Sequence, residues 1–207
     1  MMNYFIVALI GYIFGCMQFS YILGKTFRNV DIRTLGHGNA GASNAVVSLG
    51  WKYGIAVALL DIFKAIISIL IVKGLFRNAV NIEQLNFYLY LNGFFVIVGH
   101  NHPFFMKFKG GKGTASLIGM LVAINVPMAL IGILIIVAVT IVTDYIALGT
   151  IALVIYFIIA TIYLKFGTGA IIISIVIAMM SIFNHLINIK RIINKEENGL
   201  RKAMKRK

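Results

Sequence analysis

Residues 128–164 read MALIGILIIVAVTIVTDYIALGTIALVIYFIIATIYL, thirty-seven residues with a single charged side chain, Asp144. Two apolar runs of spanning length are separated by a three-residue polar turn, Thr143-Asp144-Tyr145. A lipid bilayer leaves only two ways to satisfy the backbone, helices or a closed barrel. Barrel strands alternate apolar and polar residues, whereas these runs are continuous, so they read as membrane helices.

The remainder of the chain has the same character. It has 207 residues, 60% hydrophobic and 12% charged, with mean hydropathy +0.95. A soluble domain carries about 25% charged residues. The fold class expected is all-α, a polytopic integral membrane helix bundle. One domain over residues 1–207 is the expectation from length. The single cysteine, Cys16, excludes an internal disulfide and a cysteine-based metal cluster. The first apolar segment has neither a basic leader nor a small-residue cleavage site, so it reads as a retained span.

A spanning helix needs about 20 mostly apolar residues. Seven transmembrane segments are expected, near 3–24, 53–73, 87–106, 114–126, 128–143, 146–164 and 169–188. The fourth is short, and Asn125 and Pro127 mark a turn into the fifth. Fifteen Lys and Arg fall in one set of loops and three, Lys73, Arg77 and Lys165, in the other, with Lys64 inside a span. The positive-inside rule then places the N-terminus outside and the C-terminus inside. The net charge of +13 is thus partly topology and does not indicate nucleic acid. The basic tail Leu200–Lys207 is expected on anionic headgroups of membrane lipid.

Two loops on the cytoplasmic side are unlike connectors. Residues 25–50 read KTFRNVDIRTLGHGNAGASNAVVSLG, in which Asp31 and Arg33 precede glycines interleaved with His37, Asn39, Ser43 and Asn44. Residues 99–116 read GHNHPFFMKFKGGKGTAS. There Lys109, Gly110, Gly111, Lys112 and Gly113 directly precede a span. Backbone N–H groups of a glycine-rich turn at a helix N-terminus make an anion site, and a lysine adds a point charge. A Walker pattern is absent, because Met106 and Gly113 stand where it needs Gly and Ser or Thr. The plain alternative is glycines serving turns and lysines anchoring the loop. His100 and His102, without a nearby carboxylate, are a weak metal signature, and no metal is expected. Asp61 and Lys64, three apart inside a span, form an intramembrane pair, functional or structural. His185 and Asn188 share one helix face on the loops' side of the membrane. Together these groups suit a phosphate-bearing substrate and an acyl partner.

These motifs resemble the bacterial acyl-phosphate:glycerol-3-phosphate acyltransferases. The carriers are Asp31-Ile-Arg33, Gly36 to Asn44, Leu60-Asp-Ile-Phe-Lys64, Gly99-His100 with Pro103, Phe108-Lys-Gly-Gly-Lys-Gly113, Thr143 with Tyr145, and His185-Leu-Ile-Asn-Ile189 followed by Arg191 and Glu197. The resemblance implies seven spans in the bacterial cytoplasmic membrane and an active site facing the cytoplasm. It implies transfer of an acyl group from acyl phosphate to the 1-hydroxyl of glycerol 3-phosphate, without metal, nucleotide or other cofactor. By position, Lys109, Gly110, Gly111, Lys112 and Gly113 would bind phosphate. Asn39, Ser43 and Asn44 would line the acceptor site, with Ser43 and Asn44 grouped with His185 and Asn188 as catalytic. His37, Arg33, Asp61, Lys64 and Glu197 would complete the substrate-binding set.

The chain also departs from the family pattern. Cys16, Gln18, His37, Val47, Asp144, Ala147 and Leu186 stand where Ser, Pro, Ser, Arg, a basic residue, Ser and Arg are usual. Val47 cannot grip a phosphate as an arginine does. Two other readings therefore stand beside the main one: a diverged paralogue with a different acceptor, and a non-catalytic lipid-binding or transport protein.

Overall fold

The computed structural model describes residues 1–205, all of whose regular elements are helical. Ten helices follow in order: α1 (Met2–Cys16), α2 (Phe19–Arg28), α3 (Ala42–Leu49), α4 (Trp51–Phe76), α5 (Ile82–Asn101), α6 (Thr114–Ile124), α7 (Val126–Thr143), α8 (Ile146–Tyr163), α9 (Thr168–Ile193) and α10 (Leu200–Lys205). Two 3-10 turns, Ile32–Thr34 and Phe104–Met106, sit in the two glycine-rich loops. The chain divides into two compact units, Met1–Ile124 and Asn125–Lys207. Arg206 and Lys207, the end of the basic tail, lie outside the described residues.

Each expected span is built mostly of helix. Five segments are long and apolar enough to cross a membrane: Met2–Arg28, α4, α7, α8 and α9. Helix α6, with 11 residues, is only about 17 Å long against a hydrocarbon core of about 30 Å. Helix α5 has 20 residues but carries Glu83, Gln84, Asn86, Asn92, His100 and Asn101, which lower its hydropathy. Asn125 and Pro127 make the turn expected of them: the Asn125 carboxamide accepts from Met128 N–H at 2.9 Å, and Pro127 lies in the first turn of α7.

The first apolar segment differs from the continuous helix expected over 3–24. It breaks at Met17 and Gln18, with Met17 extended. A break inside an apolar unit leaves carbonyls that need donors. The Lys64 ammonium on α4 donates to Gly15 O at 3.2 Å and Met17 O at 2.7 Å. The Gln18 carboxamide donates to Gly15 O and to His100 O at 2.9 Å.

In the first unit α1 packs closely along α5 at three glycines. A methyl group on Gly11 would meet Asn92 O, one on Gly15 would meet Val96 O, and one on Gly99 would meet Tyr12 O. Small residues let membrane helices approach this closely, and polar side chains bind them together. Asn92 supplies the polar link: its Nδ2 donates to Val7 O at 2.9 Å and its Oδ1 accepts from Ser68 of α4 at 2.8 Å. Helix α6 lies on α4 through Gly119, where a Cβ would meet Ile62 O. In the second unit α7, α8 and α9 pack in sequence order. Gly149 lets α8 approach Ile136 O of α7, and the Tyr156 hydroxyl donates to Met128 O at 3.0 Å.

The first loop is fastened to the second. Asp31 accepts from its neighbour Arg33 through N–H at 3.0 Å and through Nη2 at 2.7 Å. Arg33 Nη1 donates onward to Met106 O at 2.8 Å. The Arg33 hydrogen bonds hold the Asp31 carboxyl below the usual carboxylate range, and the same bonds raise Arg33. Ala40 N–H donates to Gly110 O at 3.1 Å, and the Ser20 hydroxyl to Ala40 O at 2.7 Å.

Two predictions follow from this packing. Gly15→Val is expected to destabilise the fold by about 1–3 kcal/mol or more through overpacking, seen as a lower thermal midpoint in detergent. Gly74→Ala, with nothing within 4 Å of its Cβ position, is expected to stay within about 0.5 kcal/mol. Because the folded Asp31 pKa is depressed, its contribution is complete above the unfolded value and is lost as pH falls through the folded one. Hydrogen-exchange protection of Arg33 N–H should therefore persist through neutral and mildly acid pH and fall only at strongly acid pH, whereas Asp31→Asn should lower it already at neutral pH.

Candidate functional site

In the first loop one side chain organises the glycines. Asn44, in the first turn of α3, is fully buried. Its Nδ2 lies within hydrogen-bond distance of Ile32 O at 3.0 Å, Leu35 O at 3.1 Å and Asn39 O at 2.8 Å, and its Oδ1 accepts from His37 N–H at 2.6 Å. Gly36 takes a positive φ of 54°, and a Cβ there would run into the Asn44 Oδ1. Asn44, expected among the catalytic groups, is thus committed to shaping the loop. Asn39 closes a turn by accepting from Gly41 N–H at 3.1 Å. Ser43 is exposed, and His37 and Val47 are half-buried. Arg33, expected at the substrate, is the tether to Met106.

The second loop turns back on the end of α5. Gly110 N–H donates to Asn101 O at 2.9 Å and Gly111 N–H to His100 O at 3.0 Å. A Cβ on Gly110 would meet His100 O, and one on Gly111 would meet the His100 ring at Nε2. These two glycines are therefore required for close backbone approach, and their N–H groups point into the protein. Gly113, with φ 87°, precedes α6, whose opening N–H groups have no carbonyl one turn back. Lys112 and Gly113 thus sit at the start of α6, while Gly110 and Gly111 are turned onto the end of α5. Lys109 is exposed and Lys112 half-buried. Lys107 and Phe108 both adopt left-handed backbone angles, φ 55° and 57°. Phe108 N–H donates to Pro103 O, and His102 Nδ1 lies 3.2 Å from Phe108 O.

Asp61 and Lys64, also expected at the substrate, are interior. Each side chain is 1% exposed, and Lys64 Nζ is 2.7 Å from Asp61 Oδ1. His100 Nδ1 lies 2.9 Å from the same ammonium. An ammonium has no lone pair, so His100 accepts at Nδ1 and carries its proton at Nε2, the atom beside Gly111. His100 touches both the pair and the glycine turn, since its carbonyl accepts from Gly111 N–H. His100 was legible as part of the Gly99-His100 motif and as a weak metal candidate, but nothing in the sequence marks its approach to Lys64, 36 positions away.

In the second unit His185 and Asn188 are buried on α9. His185 Nδ1 is 2.8 Å from Ser181 O, a carbonyl that only accepts, so Nδ1 carries a hydrogen. Asn188 Nδ2 donates to Glu197 Oε1 at 2.7 Å. Glu197 reaches it because the chain reverses after α9, with the N–H groups of Glu196 and Glu197 both donating to Arg191 O. Glu197, expected to bind substrate, orients Asn188.

Asp144 has a role the sequence did not announce. Leu200 N–H donates to Asp144 O and Arg201 N–H to Asp144 Oδ1, both at 2.8 Å. A Cβ on Gly199 would meet the Asp144 carboxylate. The acidic residue at a usually basic position thus fastens the segment that follows Glu197. The other departures are local: Gln18 bonds the α1–α2 break, Ala147 is buried in α8, and Leu186 is exposed. Among the described residues no three His, Cys, Asp or Glu are grouped as metal ligands.

Comparison with known proteins agrees with these features. The family model described as glycerol-3-phosphate acyltransferase matches residues 5–195. Glycerol-3-phosphate acyltransferase 1 of Oceanobacillus iheyensis is 47% identical over 200 residues, 96% of each chain. A glycerol-3-phosphate acyltransferase of a Thermoanaerobacter species is 37% identical over 195 residues, 94% of each. The crystal structure of PlsY, an integral membrane glycerol 3-phosphate acyltransferase, in its glycerol 3-phosphate form is similar with TM-score 0.85 and 29% identity over 95% of each chain. Its lysophosphatidic acid form gives TM-score 0.83 at 28% identity, covering 97% of this chain and 98% of that one. With its apolar helices, this likeness identifies a multi-pass integral membrane protein, and the chain belongs to the glycerol-3-phosphate acyltransferase family.

Proposed function

We propose that this protein transfers a fatty acyl group from acyl phosphate to the 1-hydroxyl of glycerol 3-phosphate, giving lysophosphatidic acid and inorganic phosphate for phospholipid biosynthesis. The observation that carries this reading is the family match over residues 5–195, joined to an intact glycine-lysine turn at the head of α6. The turn offers backbone N–H groups and the Lys112 ammonium to a phosphate. In the reaction the acceptor hydroxyl oxygen bonds to the acyl carbonyl carbon. The carbon–oxygen bond to phosphate breaks, and phosphate leaves with the bonding electrons. His185 is assigned to take the hydroxyl proton at Nε2, with Nδ1 engaged to Ser181 O. Asn188, held by Glu197, is assigned to orient the acceptor. The donor arrives activated, so positioning and anion stabilisation supply the barrier reduction.

The proposed setting is the bacterial cytoplasmic membrane, crossed by seven spans that include α5 and α6. The N-terminus is outside, and the glycine-rich loops face the cytoplasm. The excess of basic residues in those loops supports this orientation. The basic residues of the tail rest on anionic lipid.

Purified protein given palmitoyl phosphate and glycerol 3-phosphate should form lysophosphatidic acid, measured by extraction and mass spectrometry. Product with a different alcohol alone would mark a diverged paralogue, and lipid binding without any product would mark a non-catalytic protein. Lys112→Ala should reduce kcat/KM by roughly 10- to 150-fold, the range for one charge-assisted contact. Full activity in that variant would remove the phosphate site from the reading.

A further inference from the structure

Asn101, the last residue of α5, is 3% exposed, and neither its Nδ2 nor its Oδ1 has a hydrogen-bond partner. Among the described residues it is the one carboxamide with both polar atoms buried and unbonded. Native proteins rarely leave such a group unmatched. Its surroundings say what it faces. The Asn101 carbonyl receives Gly110 N–H, so the residue underlies the start of the glycine turn. Its Oδ1 lies 3.1 Å from the point where a Cβ on Gly113 would stand. Ile97 Cγ2 lies 2.7 Å from the same point, and because neither carboxamide atom is bonded, a half-turn of the amide sets Nδ2 in the place of Oδ1 without breaking a hydrogen bond. The N–H groups of Gly110 and Gly111 are directed elsewhere, and the turn has donor capacity to gain from an added amide.

We propose that the Asn101 carboxamide is part of the phosphate site, its Nδ2 donating to a phosphate oxygen held at the N-terminus of α6. The ligand is a phosphate monoester or acyl phosphate dianion, and the inference rests on the phosphate-binding reading above. An amide suits this position because it offers a hydrogen without a charge of its own. A carboxylate of the same shape would oppose the anion.

The test compares Asn101→Leu, Asn101→Asp and Asn101→Ser with the parent in the full-length protein. Calorimetry reads the Kd for glycerol 3-phosphate and for inorganic phosphate without acyl donor, and steady-state kinetics read the KM for palmitoyl phosphate. Asn101→Leu should weaken at least one of these about tenfold or more, while the thermal midpoint of the ligand-free protein holds or rises, since an unmatched polar group has been removed. Asn101→Asp should be weaker still, and Asn101→Ser should recover part of the loss. The substrate that weakens identifies whose phosphate is bound. Values for Asn101→Leu within twofold of the parent for all three ligands overturn the proposal, as does an affinity loss that only follows a lower thermal midpoint. If Asn101→Leu does not fold, Asn101→Asp binding as tightly as Asn101→Ser overturns it. A parent that binds inorganic phosphate but makes no lysophosphatidic acid defeats the proposed reaction alone, and the phosphate measurement still decides Asn101.

Discussion

The first unit depends on one ammonium group placed where water does not reach. Removing a charge from water costs several kcal/mol even after relaxation, unless every proton finds an acceptor. Lys64 has a carboxylate, an imidazole nitrogen and two backbone carbonyls around it. The two carbonyls are available because the first apolar segment breaks at Met17. The break and the charge therefore require each other. His100, pinned at Nδ1, presents Nε2 against Gly111, and its carbonyl receives Gly111 N–H and the Gln18 amide. The salt bridge on α4 and the glycine turn thus meet at one residue, His100.

The helices were legible because lipid imposes a simple rule, long apolar runs without alternation. The turn at Asn125 and Pro127 was legible for the same kind of reason, a cap followed by a residue that starts a helix well. The break at Met17 was hidden. A proline at 18, usual in the family, would have signalled it, but Gln18 maintains the break by hydrogen bonding, and a lone glutamine in an apolar run does not announce that. Pairing of Asp61 with Lys64 was visible from their spacing. Their partner His100 was not, because the contact depends on how α4 and α5 pack.

The glycine loops were legible as special but only partly as to function. Sequence spacing treats Gly110, Gly111 and Gly113 alike. The fold separates them: two allow close approach to His100, and one opens α6. Asn44 looked like a ligand-facing amide, yet three loop carbonyls and one N–H surround it. An asparagine between two histidines, Asn101, reads as ordinary in sequence. Its unmatched amide appears only once burial is known.

Asp144 and Gly199 form a lock and a keyway fifty-five positions apart. The missing side chain at 199 admits the carboxylate, and the carboxylate receives the N–H of Arg201. A relative with a basic residue at 144 must hold its last segment differently. The two positions are thus not modular in this chain: a chimera joined between them would separate the carboxylate from the gap that admits it.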